Sequence, residues 1–169
     1  RFEITKEVDE LVEMAVNTSS DTKISIPDAN FKAALIAAGA DINKDGEIQK
    51  DAEAPLVTEI NVYDMKVASL EGIQYFVNLL KLNCTNNKLS SLDLTKNTKL
   101  TSLSCKQNKI TTLDLSKCIQ LKSIVCGGNM LASLSVSENK MLDFIECNSN
   151  LLTELNVSGH VYLKWLDCR

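Results

Sequence analysis

The chain has no Cys-x-x-Cys pair, only one histidine (His160), and no apolar run approaching a membrane span of roughly 18 residues. The first two absences leave a zinc site without its usual ligand pairs, and the third excludes a helical membrane insertion. An excess of positive charge is also missing. Eighteen basic residues against 22 acidic ones give a net charge of −4 and an isoelectric point near 5.1. The chain as a whole thus carries no electrostatic footprint for nucleic acid or an anionic membrane. There is no initiator methionine and no signal segment before Arg1, so the chain reads as a processed or trimmed product. What remains is 169 residues, enough for one domain with a substantial core.

Against these absences stands a strict period. Cys84, Cys105, Cys126, Cys147 and Cys168 are each 21 residues apart. Leu79, Leu100, Leu121, Leu142 and Leu163 keep the same step, and so do Asn87, Asn108, Asn129 and Asn150. The unit reads L-x-x-L-x-C-x-x-N-x-L, followed by L-x-L-[ST] as in Leu92-Asp93-Leu94-Thr95. The first half is the leucine-rich-repeat signature with cysteine at its third apolar position. Alternation in both halves predicts two short strands per coil, one on each face of a flattened solenoid. A single coil cannot bury its apolar face, so neighbours stack and share an elongated core. The asparagine column is expected to bond backbone groups where the chain leaves the strand. The column Thr95, Ser116, Ser137 and Ser158 is expected to do the same at the other bend.

The cysteine spacing argues against disulfides. Residues one period apart lie on adjacent parallel strands about 4.8 Å apart with side chains pointing the same way. A disulfide needs Cβ atoms nearer about 3.8 Å and turned toward each other. The five read as a buried column of free thiols that act as small apolar fillers. Cys118 stands off the column, at the second-bend position that holds Asn97 and Asn139 in other coils, and is the thiol expected to be reactive.

Residues before about Val57 lack the repeat. Ile4, Val8, Leu11, Val12 and Ala15 have helical spacing over Phe2 to Asn17, and a second helix is expected to start near Pro27-Asp28 and end at Gly39. A helix before the first coil would cover the open end of the solenoid. Between them, Asp41-Ile42-Asn43-Lys44-Asp45-Gly46-Glu47-Ile48 matches the first eight positions of an EF-hand loop. Asp41, Asn43, Asp45 and Glu47, with Asp51 or Glu53, are the candidate ligands of a structural Ca²⁺. The twelfth position, where a bidentate carboxylate belongs, is Ala52. The first coil has Met65 where asparagine is expected.

From Ile26 to Arg169 the run I-P-D-A-N-F-K-A, D-x-N-K-D-G-E-I, V-T-E-I-N-V, L-E-G-I-Q-Y-F-V-N-L and the tandem repeats resembles bacterial cell-surface leucine-rich-repeat proteins, similar to the internalins in coil length and in having an N-terminal cap. The fold class is therefore an α/β leucine-rich-repeat solenoid. It is expected as a curved parallel β-sheet of about 21-residue coils with a helical N-terminal cap. Residues 1–24 form an N-terminal helix and linker, 25–56 the cap and 57–169 the solenoid. The resemblance implies a surface or secreted recognition and adhesion module and no enzymatic activity.

Outward-facing strand positions are where a partner would bind. Early coils are polar there, with Lys81, Asn83, Ser102 and Ser104. Later coils place Val125, Phe144, Glu146, Trp165 and Asp167, a patch whose aromatics either anchor a partner, as exposed rings on a concave face do, or cover the open end of the solenoid or contact further coils. A protein partner is expected ahead of a glycan, and a spacer without a ligand is the alternative. Arg169 follows Cys168 directly, which leaves the last coil cut after its strand and suggests end-to-end self-association.

Overall fold

The computed structural model describes residues 22–169. The helix expected over Phe2 to Asn17 lies outside the described residues. Six parallel strands follow one another in chain order: β1 (Glu59–Asn61), β2 (Lys81–Asn83), β3 (Ser102–Ser104), β4 (Ser123–Val125), β5 (Phe144–Glu146) and β6 (Trp165–Asp167). Their register repeats the sequence period, pairing Leu82 with Leu103, Leu103 with Ile124, Ile124 with Ile145 and Ile145 with Leu166. The central residue of each strand from β1 to β5 is buried, because alternation turns it inward while its neighbours face out.

Strands form on one face only, which corrects the expectation of two. The L-x-L-[ST] segments are extended without ladder pairing. At the end of these segments the Asp93 carboxylate accepts from the Thr95 backbone N–H and hydroxyl, and Asp114 accepts from the Ser116 N–H in the same way. Each Asx turn takes up the N–H where its segment ends, and the fourth coil, with Ser135 in the aspartate's place, forms no second strand either. The Ser/Thr column therefore serves its own turn and does not close the other bend.

Asparagine closes the first bend. Asn129 Nδ2 donates to the carbonyls of Cys105, Cys126 and Gly127, and its Oδ1 accepts from the Ile110 N–H. Asn87, Asn108 and Asn150 repeat the pattern. Each amide reaches back one coil, so the first coil needs no asparagine of its own and Met65 is exposed there.

A second, interior column closes the other bend. Asn97 Nδ2 donates to Ile73 and Phe76 carbonyls, and Asn139 Nδ2 to those of Leu115 and Cys118. His160 takes the same place, with Nε2 3.0 Å from the Val136 carbonyl and Nδ1 3.0 Å from that of Val157. Cys118 does so with its thiol, 3.6 Å from Leu94 O and 3.7 Å from Asn97 O. This overturns its reading as the reactive thiol. Cys118 is fully buried, and burial pushes its thiol up to about 11. The core column is equally inert: burial raises Cys84 to about 12, Cys147 to about 11, and Cys105 and Cys126 further. All six cysteines are free. Cys168, expected inside the column, is the exposed one.

One helix, α1 (Ala29–Ala37), is what the described residues contain of the expected helical cap. Asp28 couples it to the solenoid. Its Oδ1 caps α1 by accepting from Asn30 and Phe31 N–H, while Oδ2 accepts from Ala68 and Ser69 in the first coil. Phe31 and Leu35 turn inward onto the same continuous core.

Two outcomes follow from this packing. Burial pushes the Asp28 carboxyl up, but the N–H groups of Ala68, Phe31, Ser69 and Asn30 outweigh it and hold the group below its usual value of 3.8. The charged form is thus favoured in the folded state, and its stabilisation is present above the unfolded value and lost as pH falls through the folded one. Asp28→Ala should lower stability by on the order of 2 kcal/mol at neutral pH, measured by urea denaturation, with the difference shrinking in acid. A constant difference down to low pH would contradict this role. Under native conditions an aromatic disulfide reagent should modify Cys168 alone; rapid labelling of Cys118 would contradict its buried bend position.

Candidate partner-binding face

Outward side chains of adjacent strands meet at the register positions just described. β4 to β6 bring Val125, Glu146 and Asp167 into one row and Ser123, Phe144 and Trp165 into another. The patch read from the sequence is therefore contiguous. Phe144 and Trp165 are stacked, with ring centroids 6.1 Å apart and planes 7° from parallel. Ser123 beside them is small, so the stack stands above the sheet toward the middle coils. Trp165 keeps 55% of its surface exposed.

The acidic members of the patch are already engaged. Glu146 pairs with Lys106 two coils away. That reach crosses Gly127, where no side chain blocks the path. A Cβ on Gly127 would lie 2.3 Å from Asn148 Oδ1 and 3.2 Å from the Asn148 carbonyl, so a side chain here would displace the Asn148 amide. Asp167 accepts from Arg169 at 2.9 Å and from Asn148 Nδ2 at 2.8 Å. Those two groups hold its carboxyl well below the ordinary carboxylate range. At the opposite end of the face Lys81 pairs with Glu59. Internal pairing leaves the aromatic stack as the principal contact feature of the late coils, with little net charge beside it.

The cap loop shows how each candidate metal ligand is used. Asp41 accepts from the Asp45 and Gly46 N–H groups, and Asn43 Oδ1 accepts from Asp45. Asp45 accepts from the Glu47 N–H and Gln49 Nε2, and lies 3.3 Å from Lys23 Nζ. Glu47 pairs with Lys32 at 2.7 Å. Asp51 is exposed. Glu53, 2% exposed, accepts from the N–H groups of Ile42 at 2.7 Å, Asn43 at 3.0 Å and Gln49 at 2.9 Å. Among the described residues no three His, Cys, Asp or Glu side chains are grouped to hold a metal ion. Also among the described residues, no helix is long and apolar enough to cross a membrane.

Sequence reasoning missed two features of this surface. The Lys106–Glu146 pair spans residues 40 apart, which a 21-residue period does not suggest. The role of Glu53 was hidden because a metal-loop template assigns carboxylates to a cation and not to backbone N–H groups.

No family model matches the chain. Internalin J of Listeria monocytogenes is 37% identical over 72 residues, which cover 43% of this chain and 8% of that protein. The solved functional domain of InlJ from Listeria monocytogenes, which includes a cysteine ladder, superposes with a TM-score of 0.80 at 34% identity. That match covers 88% of this chain and 33% of the InlJ domain. The internalin InlF of the same species gives a TM-score of 0.62 at 22% identity, covering 82% of this chain and 48% of that one. A leucine-rich-repeat protein of Leptospira interrogans gives 0.55 at 21%, covering 64% and 30%. The last two likenesses show the fold. The chain spans a third of the InlJ domain's length and less than a tenth of curated Internalin J. Coil length, the buried cysteine column and the match to InlJ agree, and the chain is a leucine-rich-repeat solenoid similar to the internalins of Listeria monocytogenes.

Proposed function

We propose that the chain is a non-enzymatic recognition and adhesion module that binds a protein partner through the outer face of β4 to β6, with Phe144 and Trp165 as anchors. The stacked aromatic pair carries this reading, since it stands half-exposed on a face whose earlier coils offer lysine, asparagine and serine. Large, rigid aromatic side chains bury much area at low entropic cost, which suits them to the centre of an interface. The internalin likeness supports the same reading and a place on the cell surface or in the medium. Cys118 and His160, the two residues a thiol hydrolase would recruit, are each committed to bend carbonyls two coils apart. A spacer that binds nothing is the competing outcome.

The test is capture of surface and extracellular-matrix proteins by the native chain, with the Phe144→Ala/Trp165→Ala variant in parallel. A partner bound by the native chain should bind the folded variant at least about thirtyfold more weakly. Equal binding would remove the proposed site, and no partner for either chain would favour the spacer.

For the cap loop, we propose that Glu53 takes the structural part that a bound cation takes in an EF-hand, drawing three backbone N–H groups to one carboxylate. Calcium held by Asp41, Asn43 and Asp45 is the competing reading. Glu53→Gln should lower stability by about 1 to 3 kcal/mol, because an amide NH₂ would face buried donors. Melting temperatures in excess calcium and in EDTA should coincide; a rise in calcium that Asp45→Ala abolishes would favour coordination instead.

A further inference from the structure

Charge along the solenoid is unevenly divided. Residues 79–122, which make the second and third coils and open the fourth, hold eight lysines and two aspartates, a balance of +6 in a chain whose total is −4. The rest of the chain therefore carries −10, and the positive charge is a belt around two coils. Lys81 has an acidic partner one coil away and Lys106 one two coils away. The other six, Lys88, Lys96, Lys99, Lys109, Lys117 and Lys122, are exposed and take part in no ion pair among the described residues.

Four of these six share one rim. Lys96 and Lys117 are at equivalent positions of successive coils on the second bend. Lys99 and Lys122 lie where the same bend returns to the sheet, Lys99 Nζ donating to Asn78 Oδ1 at 2.7 Å and the Lys122 N–H to the Thr101 carbonyl at 2.9 Å. The only acids in the belt, Asp93 and Asp114, are bound into Asx turns with Thr95 and Ser116 and lie within electrostatic reach of Lys96 and Lys117, without forming an ion pair with either.

We propose that this rim is a second interaction surface, separate from the aromatic face, and that it takes a sulfated polysaccharide. The positive charge is supplied by lysine alone, a compact ammonium that meets separate anionic groups without the planar fork of arginine. The belt contains no Phe, Tyr or Trp, so it offers no ring for stacking nucleic-acid bases. Its large exposed apolar side chains are Leu80 and Ile119, one on each coil, too few to seat the belt in a membrane. Threonine and serine hydroxyls lie between the lysines at Thr95, Thr98, Thr101 and Ser116, where they can bond sugar hydroxyls. Adjacent coils repeat about every 4.8 Å, so lysines one coil apart offer closely spaced charges to a flexible chain of anionic groups.

The test uses the whole chain with immobilised heparin at low salt, neutral dextran as the blank, and duplex DNA and anionic phospholipid vesicles as competing polyanions. The native protein should bind heparin despite its net negative charge and should be released as salt rises. Replacing Lys96, Lys99, Lys117 and Lys122 with alanine should weaken binding at least about tenfold. Replacing Lys44, Lys66, Lys140 and Lys164, an equal charge change outside the belt, should alter it less than about twofold. All eight side chains are exposed, and circular dichroism checks that both variants keep the fold. No retention of the native chain would overturn the proposal. So would equal loss in the two variants, or tighter binding to DNA or vesicles than to heparin.

Discussion

The carboxamide of one asparagine per coil is the interaction on which the rest of the solenoid depends. Strands of three residues supply few ladder bonds, and the chain then turns through a left-handed residue, at Asn86, Gln107, Gly128 and Ser149. The carbonyls and N–H groups released at that turn face inward, where each would cost free energy if unpaired. Asn87, Asn108, Asn129 and Asn150 satisfy them in their own coil and in the coil before. No coil is complete without its successor, so stability is a property of neighbours more than of units. Asp28 extends the same logic to the cap: a single carboxylate satisfies the end of the helix and a turn of the first coil.

That dependence explains what could be read from the sequence. The leucine, cysteine and asparagine columns are interior or bonded to the interior, so they cannot vary from coil to coil, and their spacing declared the fold, the register and the free thiols. In the second and third coils aspartate two residues before threonine or serine offers the backbone a nearer partner than the next coil does, and the fourth coil, with Ser135 in that place, forms no second strand either. Periodicity cannot see this competition, which is settled within three residues. Cys118 was misjudged for a related reason. As a departure from an asparagine column it resembled a functional insertion, whereas the slot, which also takes His160, demands only a group able to donate to a carbonyl, and a thiol meets that demand weakly.

Glu53 and the charge belt were illegible for different reasons. A carboxylate one place beyond a metal-loop position resembles a displaced ligand until its three backbone donors are located. Lysines that look scattered in the chain become a belt once a period of 21 stacks them, and the total of −4 conceals it because the sequence on both sides of the belt carries the opposing charge.

The outward positions are free to differ because the inward ones are not. Each coil can therefore carry its own chemistry on an unchanged frame, and this chain uses that freedom along its axis: carboxylates in the cap, lysines in the second and third coils, aromatic rings in the last two. Electrostatic influence between exposed groups decays over about 8 Å at physiological ionic strength, while the two coils between Lys117 and Phe144 span about 10 Å; Lys122 is nearer, its carbonyl accepting from the Phe144 N–H. Charge on Lys96, Lys99 and Lys117 is thus largely screened at the Phe144–Trp165 stack, whose own acids are already neutralised by Lys106 and Arg169. A ligand drawn to one surface by charge need not compete with a ligand held on the other by apolar contact. The separation arises from coil spacing and needs no domain boundary.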